Sequence, residues 1–358
     1  MLRSILAATA VVLGWAAAGT AGDILTVGDP APKLEVREFI KGDKVAGLEK
    51  GKTYVIEFWS TWCPFCSAAI PNLTKLQKKH KDVVFIGVSA YEEDQKVVKP
   101  FVEKMGDKMA YRVALDVVPE GSKGTDGKMA RAWMGAAGKD GVPTAFIVDG
   151  EGKIVWIGHP NGLAEPLEQL AAGKYDLKSA AAAYKRTLIL KQIRRPLVKA
   201  VRSANTEAII EIVDTAIAVD AKMEEMLGVL KFEALAAQES DADKAMKYGT
   251  RLVAGALKND AASLKELAWS IVKPNADKKR AARFVKVALP AAQRADELEQ
   301  GKDAAIADTL ARAYFVNGDA GKAIAAQERA IKLAKGTPLE KDKSLVERLD
   351  EYKQAGKK

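Results

Sequence analysis

Cysteine and histidine are scarce in this chain of 358 residues, which contains only two of each. Two cysteines are too few for the set of disulfides that stabilises many small exported domains. A structural zinc site needs about four ligands, whereas His80 and His159 are remote in sequence from both cysteines. Copper bound through the thiols would also lack a nearby histidine. The sequence therefore predicts neither a metal site nor a disulfide scaffold.

Long apolar segments are missing except near the first residue. Arg3 precedes an apolar stretch over residues 5–18, which is followed by the small residues Gly19-Thr20-Ala21. This arrangement is typical of a secretory signal peptide, with cleavage expected after Ala21. The alternative is an uncleaved membrane anchor, although the stretch is short for the ~20 residues of a spanning helix. We therefore expect an exported, periplasmic protein without a stable membrane span once residues 1–21 are removed.

The charge has no strong bias towards one sign, because 56 Lys and Arg are interspersed with 47 Asp and Glu, for a formal net charge of +9. Export also separates the protein from nucleic acid, so we expect a soluble, lysine-rich surface and no nucleic-acid partner. The ~337 residues that follow the signal exceed one domain of ~100 to 200 residues. Two domains are therefore expected.

Both cysteines lie in one motif, Trp62-Cys63-Pro64-Phe65-Cys66. It follows the apolar run 54–59, typical of a strand buried on both faces, and opens a predicted helix over 64–80. The first residue of that helix is proline, whose missing N–H is harmless there. Cys63 would then lie at the helix N-terminus, where backbone N–H groups favour a thiolate. The pattern predicts Cys63 as the nucleophile and Cys66 as the resolving thiol.

Strands and helices alternate from Val27 to about Gly173, which predicts an α/β fold. A Gly-Glu-Gly-Lys turn at 150–153 predicts that the last two strands form a hairpin. We assign residues 22–173 to this domain. Its clear predicted strands cover residues 54–59, 83–88, 145–148 and 154–157.

The run from Phe58 to Cys66, followed by Gly141-Val142-Pro143-Thr144 before a strand, resembles the thioredoxin superfamily. Residues 91–116 are similar to the insertion of its TlpA-like branch, the exported redoxins. The resemblance covers residues 28–170. It implies a thioredoxin-like fold, with a mixed central sheet flanked by helices and a helix–strand insertion, and the activity of a thiol:disulfide oxidoreductase.

The resemblance also implies a substrate-binding surface around the thiols. In that family the proline equivalent to Pro143 is cis and faces the disulfide. The backbone beside it, here Val142, pairs with the chain of the substrate. The redox-active group is the cysteine disulfide itself, so no cofactor is expected. The other residues expected to contact a protein substrate are Trp62, Pro64 and Phe65.

Glu57 is the one charged side chain in the run 54–59, six residues before Cys63. Thioredoxins carry a buried acid there. Because an apolar setting raises the pKa of a carboxyl group, we predict that Glu57 takes and returns the proton of Cys66. The alternative is an edge-strand glutamate that reaches solvent. Glu92 and Glu93 are other acids near the site, and a solvated loop is expected for both.

The dipeptide between the cysteines leaves the direction of electron flow open. Pro64-Phe65 stands where thioredoxin has Gly-Pro and where many TlpA-like proteins have proline second. The dipeptide modulates the pKa of the attacking thiol and thereby the redox potential. Proline-first pairs occur both in reductants of cytochrome c maturation and in strong oxidases. The rest of the resemblance favours reduction, and a disulfide-forming oxidase is the alternative.

From Tyr175 onward alanine, lysine, leucine and glutamate dominate. We predict a helical connector over 174–203 and an all-α domain over 204–358. Residues 304–338 resemble one tetratricopeptide unit, with degenerate units upstream, and such repeats bind peptides or proteins. The alternative is a simple helical bundle. The residues behind the resemblance are Leu310, Ala311, Ala313, Tyr314, Gly318-Asp319, Ala323, Ala330 and Leu333, preceded by Ala245, Leu252, Leu267-Ala268, Ala281 and Ala288.

The sequence thus predicts an exported enzyme that reduces disulfides in cell-envelope proteins and whose helical domain binds a partner. One alternative is a protein-binding scaffold in which the thioredoxin-like domain is only a redox-regulated switch. A peroxidase is disfavoured, because peroxiredoxins place Thr or Ser three residues before the reactive cysteine and proline seven before it. Here Ser60 fits that pattern, but Ile56 does not.

Overall fold

The fold is that of a computed structural model, which describes residues 24–357. The predicted signal peptide, residues 1–21, lies outside the described residues. Two compact units divide between Thr187 and Leu188, inside the predicted connector. The bounds 22–173, 174–203 and 204–358 stay predictions. Within the described range, no helix combines the length and the apolar character that crossing a bilayer demands.

A six-stranded sheet organises the first unit, and its strand order is β1-β4-β3-β2-β5-β6. Strands β2, β3 and β4 are mutually parallel, whereas β1, β5 and β6 run antiparallel to their neighbours. The predicted mixed sheet, its four clear strands and the final hairpin are confirmed. The strands are β1 (Val36–Lys41), β2 (Thr53–Trp59), β3 (Val83–Ser89), β4 (Arg112–Asp116), β5 (Thr144–Val148) and β6 (Ile154–Gly158).

Strand β2 lies between β3 and β5 and is covered on both faces, which explains its nearly continuous apolar sequence. On one face Val55 and Trp59 pack with Ile70 and Leu73 of the following helix. On the other face the Phe58 ring lies edge-on to Phe146, with 5.8 Å between the ring centroids. The carboxyl end of this rigid strand leads directly into the cysteine motif.

The helices of the first unit are α1 (Pro64–Lys79), α2 (Val98–Met105) and α3 (Ala164–Ala171). Helix α2 and strand β4 form the predicted insertion between β3 and the next helical segment. That segment is a short π-helix, Ala130–Gly135. It begins where the buried Asp116 carboxylate accepts hydrogen bonds from the N–H groups of Met129, at 2.8 Å, and Ala130, at 2.9 Å.

The rest of the chain is helical. Its helices are α4 (Leu177–Arg202), α5 (Thr206–Val219), α6 (Met223–Ala236), α7 (Ala242–Ala254), α8 (Ala261–Val272), α9 (Lys278–Leu298), α10 (Ala304–Val316), α11 (Ala320–Ala334) and α12 (Ser344–Ala355). Side-chain oxygens cap the first turns of α5, α8, α9, α10 and α11 by accepting a backbone hydrogen bond. The capping residues are Asn205, Asp260, Asp277, Asp303 and Asp319.

Small residues dominate the contacts of α8 to α11, and the residues that the sequence singled out for helix packing are buried or half-buried. Gly318 joins α10 to α11 with a φ of 86°, a conformation that suits glycine. The Ala288 and Ala291 side chains of α9 lie in the same apolar cluster as Leu310 of α10. The predicted all-α domain is confirmed, while its assignment to tetratricopeptide repeats stays a prediction.

Candidate active site

Cys63 lies at the N-terminus of α1, four residues after β2 ends at Trp59. It is the N-cap residue of the helix, and its Sγ accepts a hydrogen bond from the N–H of Cys66 at 3.1 Å. The two cysteines form a disulfide. Cys63 is 3% exposed and Cys66 is fully buried. Both cysteines are therefore largely shielded from solvent, with Cys63 at the end of the helix, beside exposed residues of the motif, and Cys66 inside the first turn.

A second loop faces the disulfide across the end of the sheet. The bond between Val142 and Pro143 is cis, as predicted. The carbonyl oxygen of Val142 lies 3.7 Å from the Cys63 Sγ. Val142 is half-buried and Pro143 is buried, immediately before β5. The cis proline thus brings backbone polar groups next to the sulfur that is closer to the surface.

Two aromatic side chains beside Cys63 are exposed, which is unusual for residues of this size. Trp62 is 59% exposed and Phe65 is 71% exposed, and Pro64 between them is exposed as well. The Trp62 Nε1 donates a hydrogen bond to the carbonyl oxygen of Tyr91 at 3.1 Å. The indole is therefore held in place while its ring remains open to solvent, and the sulfur has an apolar rim.

Glu57 is buried in the centre of the sheet, with 1% of its surface exposed, so the edge-strand alternative is wrong. Side chains alternate along a strand, so Glu57 shares the face of Val55 and Trp59, the face that packs against both cysteines. Neither carboxylate oxygen has a hydrogen-bond partner among the described residues. Desolvation raises the pKa of Glu57 to about 8. The carboxyl group is therefore mostly protonated at neutral pH.

Gly87 provides the space beside the Glu57 carboxylate, a role that no local sequence pattern indicated. A Cβ atom at this position would lie 3.3 Å from the Glu57 Oε2, 3.2 Å from the Trp59 Nε1 and 2.9 Å from the Tyr111 ring. The Trp59 Nε1 and the Tyr111 hydroxyl are also buried without a partner in the described chain. Burial, together with the charge of Glu57, raises the pKa of Tyr111. Polar atoms of β2 and of the segment that leads into β4 thus lie close together in an otherwise apolar core.

Glu92 is buried, with 4% exposure, and the solvated loop predicted for it is wrong. Its carboxylate accepts hydrogen bonds from the Thr61 N–H at 2.5 Å and the Thr61 hydroxyl at 2.9 Å. Glu93 is exposed, as predicted. The side chain of Glu92 therefore ties the loop after β3 to the residue that precedes Trp62, a contact that no local sequence signal indicated.

We expect Glu92→Ala to lower the free energy of unfolding by about 1 to 3 kcal/mol, because the Thr61 N–H and hydroxyl would lose their charged acceptor. Urea denaturation at neutral pH measures the change. Glu93→Ala is the matched control and should change the free energy by less than about 0.5 kcal/mol, as exposed substitutions usually do. Equal effects of the two substitutions would contradict the positioning role of Glu92.

The chain is similar to known redox proteins over its first unit. A family model described as Redoxin matches residues 26–170. Protein FixW of Rhizobium leguminosarum is 31% identical over 175 residues, which are 47% of this chain and 76% of that protein. Thiol-disulfide oxidoreductase ResA of Bacillus thuringiensis (strain Al Hakam) is 33% identical over 134 residues, 37% of this chain and 68% of ResA. Thiol:disulfide interchange protein DsbE of Haemophilus influenzae is 32% identical over 130 residues, 36% of this chain and 63% of DsbE.

The Redoxin match covers the strand, the cysteine motif and the cis-proline loop that together surround the disulfide. The chain therefore belongs to the redoxin family of the thioredoxin superfamily, and it is a TlpA-like thiol:disulfide oxidoreductase.

Proposed function

We propose that this protein reduces disulfides in exported proteins, with Cys63 as the nucleophile and Cys66 as the resolving thiol. The observation that carries the proposal is the asymmetry of the pair. Cys63 is the N-cap of α1 and is 3% exposed between the exposed Trp62 and Pro64, whereas Cys66 lies inside the first turn of the helix and is fully buried. Only the first sulfur can meet the disulfide of another protein. The second can reach that sulfur from within the same molecule.

In the reduced protein the Cys63 thiolate attacks one sulfur of the partner's disulfide. A new S–S bond joins Cys63 to the partner, the partner's own S–S bond breaks, and its other sulfur leaves as a thiolate that takes a proton. The N–H of Cys66, in the first turn of α1, points at the Cys63 Sγ, and the helix N-terminus favours the thiolate of Cys63. This arrangement supplies a nucleophile at neutral pH.

Cys66 completes the exchange. Its thiolate attacks the Cys63 Sγ, which forms the internal disulfide, breaks the mixed disulfide and releases the second thiol of the partner. Two electrons have then passed to the partner, and an external dithiol must reduce the pair again. The ionised fraction of Glu57, which is small at neutral pH because burial raises its pKa to about 8, accepts the Cys66 proton. This pKa is close to that of an ordinary thiol, so transfer is possible in both directions.

The exposed surface around Cys63 suits a protein chain as substrate. Trp62 and Phe65 offer apolar contacts, Pro64 keeps the rim rigid, and the carbonyl oxygen of Val142 is open to a backbone N–H. Pro143 holds that carbonyl beside the sulfur through its cis bond. The redox-active group is the disulfide of the chain, and the proposed mechanism needs no cofactor or metal.

The helical unit supports a second part of the proposal, the selection of a partner protein. It presents the exposed apolar side chains of Val219 and Met226, and paired helices of this kind bind extended peptides. We place the reaction outside the cytoplasm because residues 1–21 have the composition of a signal peptide. We propose reduction of the partner and not its oxidation, because the resemblance to the TlpA-like branch favours reduction.

Trapping tests the proposal. The Cys66→Ser variant, reduced and then mixed with envelope extract, is expected to accumulate disulfide-linked partners on Cys63, because the resolving thiol is missing. Non-reducing electrophoresis and mass spectrometry identify them. The Cys63→Ser/Cys66→Ser variant is the control and should trap nothing. If both variants recover the same proteins, or if neither recovers any, the reductase proposal fails.

A further inference from the structure

Helix α4 has an unusual charge distribution that the redox chemistry does not use. Its 26 residues contain eight Lys and Arg and no Asp or Glu. Among the other described helices only α1 has several cations and no acid, and it contains three lysines. Since like charges on one helix repel each other, the composition lowers the intrinsic stability of α4 and concentrates positive potential along it.

The second half of α4 presents a continuous basic face. We call it the basic face of α4 and define it by residues that are all exposed: Arg194, Arg195, Val198, Lys199, Val201 and Arg202. Their spacings of three and four residues place them on one side of the helix. The opposite side is apolar, and Ile189, Ile193 and Ala200 are buried in a cluster with residues of α5. The face spans about 12 Å at 1.5 Å per residue.

The cations of this face have no partner within the described chain. The charged groups of Arg194, Arg195, Lys199 and Arg202 take part in none of the described ion pairs or hydrogen bonds, and the one side-chain bond to Lys199 is to its carbonyl oxygen. Elsewhere in the helical unit comparable cations are paired, for example Arg251 with Glu224. Their charge is therefore available to an external anion.

Helix stabilisation accounts for only part of this face. Cations near a helix C-terminus interact favourably with the dipole, but the effect fades within the last turn. Lys199 and Arg202 lie in that turn. Arg194 and Arg195 lie about two turns before the end, where the dipole gives no reason for a positive charge. The positive charges of Arg194 and Arg195 are therefore better explained by an interaction with a molecule outside the helix.

Two exposed valines favour an anionic bilayer over a water-soluble polyanion as the partner of this face. Val198 is 42% exposed and Val201 is 47% exposed, and both lie between the cations. A polyanion in water would leave these methyl groups solvated, whereas the boundary of a bilayer accepts apolar side chains next to Lys and Arg bound to headgroups. We propose that the basic face of α4 binds the surface of a bilayer that contains anionic phospholipid.

Vesicle sedimentation of the full chain tests this inference. The wild type is expected to bind vesicles of equal parts phosphatidylglycerol and phosphatidylcholine, and to bind pure phosphatidylcholine far less. Replacing Arg194, Arg195, Lys199 and Arg202 with glutamine should weaken binding at least about 100-fold, since one cation near an anionic surface contributes about 5-fold. Raising the salt concentration should weaken wild-type binding as well.

A matched control removes the same charge from other exposed positions, with Lys278, Lys286, Lys335 and Lys343 each replaced by glutamine. It should bind as the wild type does. Residues 1–23 are common to all three proteins and so cannot account for a difference between them. Far-UV circular dichroism verifies that both variants are folded.

Three results would overturn the inference: no preference of the wild type for phosphatidylglycerol, equal loss in the control variant, or unchanged binding after loss of the basic face. Polyglutamate tests the other class of anionic partner, an acidic protein segment. If the wild type binds polyglutamate through the basic face but binds neither kind of vesicle, the surface recognises an acidic protein segment and the lipid proposal is wrong. The outcome is independent of whether Cys63 reduces disulfides.

Discussion

Cys63→Ser is expected to lower insulin reduction by about 100-fold or more, down to the rate of uncatalysed exchange with the reductant. A serine hydroxyl is not ionised at neutral pH and forms no mixed disulfide, so the first step of the exchange is lost. Cys66 cannot replace the missing nucleophile, because it is fully buried. The turbidity of precipitating insulin chains, followed with dithiothreitol as reductant, measures the rate.

Ser67→Ala is the control for this substitution. Ser67 is half-buried in the same helical turn, and its hydroxyl contacts the carbonyl oxygen of Cys63 at 3.4 Å. Its loss should leave the rate within a factor of a few of the wild type. An inactive wild type would remove the basis of the enzymatic proposal and favour a scaffold in which the thioredoxin-like unit is a switch. Undiminished activity of Cys63→Ser would assign the attack to another group.

The central strands could be predicted from the sequence because buried strands consist almost entirely of apolar residues. Strand β2 is apolar at almost every position, since helices cover both of its faces. Strand β1 went unpredicted for the opposite reason. It pairs only with β4, at the edge of the sheet, and its residues are half-buried or exposed, with two irregularities in register. Such a strand depends on its neighbour and leaves little periodic signal.

The residues of the candidate site also fall into two groups, those that could be predicted from the sequence and those that could not. A cysteine at the end of a strand and before a helix is a local pattern, so the position of Cys63 followed from the sequence, and the cis bond before Pro143 followed from the family resemblance. Glu92 did not follow. Its burial depends on Thr61, a residue 31 positions away. Gly87 and Tyr111 are positioned by strand pairing, which brings Gly87 opposite Glu57. A single sequence contains no local pattern that shows which of its distant segments are in contact.

Glu57→Gln is expected to stabilise the oxidised protein by about 3 kcal/mol at pH 7. The pKa of Glu57 is raised from 4.5 to about 8 by burial in the folded state. Between these values the folded protein binds more protons than the unfolded chain does. Stability therefore falls as the pH rises from about 4.5 to about 8, by about 1.4 kcal/mol per pH unit, and is constant above that range. Glutamine removes this dependence.

Urea denaturation of the disulfide form at several pH values measures the effect. In that form neither cysteine titrates, and burial keeps the pKa of Tyr111 well above its usual value, so Glu57 is the titrating group in this part of the core. The difference between Glu57→Gln and the wild type should be small near pH 4 and reach about 5 kcal/mol above pH 8. Glu38→Gln, on the exposed strand β1, is the control and should show no such trend.

The same substitution should act on catalysis with the opposite sign. Glutamine cannot accept the Cys66 proton, so the resolving step should slow while Cys63 still attacks, and mixed disulfides should persist longer. A variant that is more stable and slower identifies Glu57 as a residue kept for proton transfer at the expense of stability. A variant that is less stable and slower would instead indicate a structural role, because the loss of activity would then follow from the loss of folding.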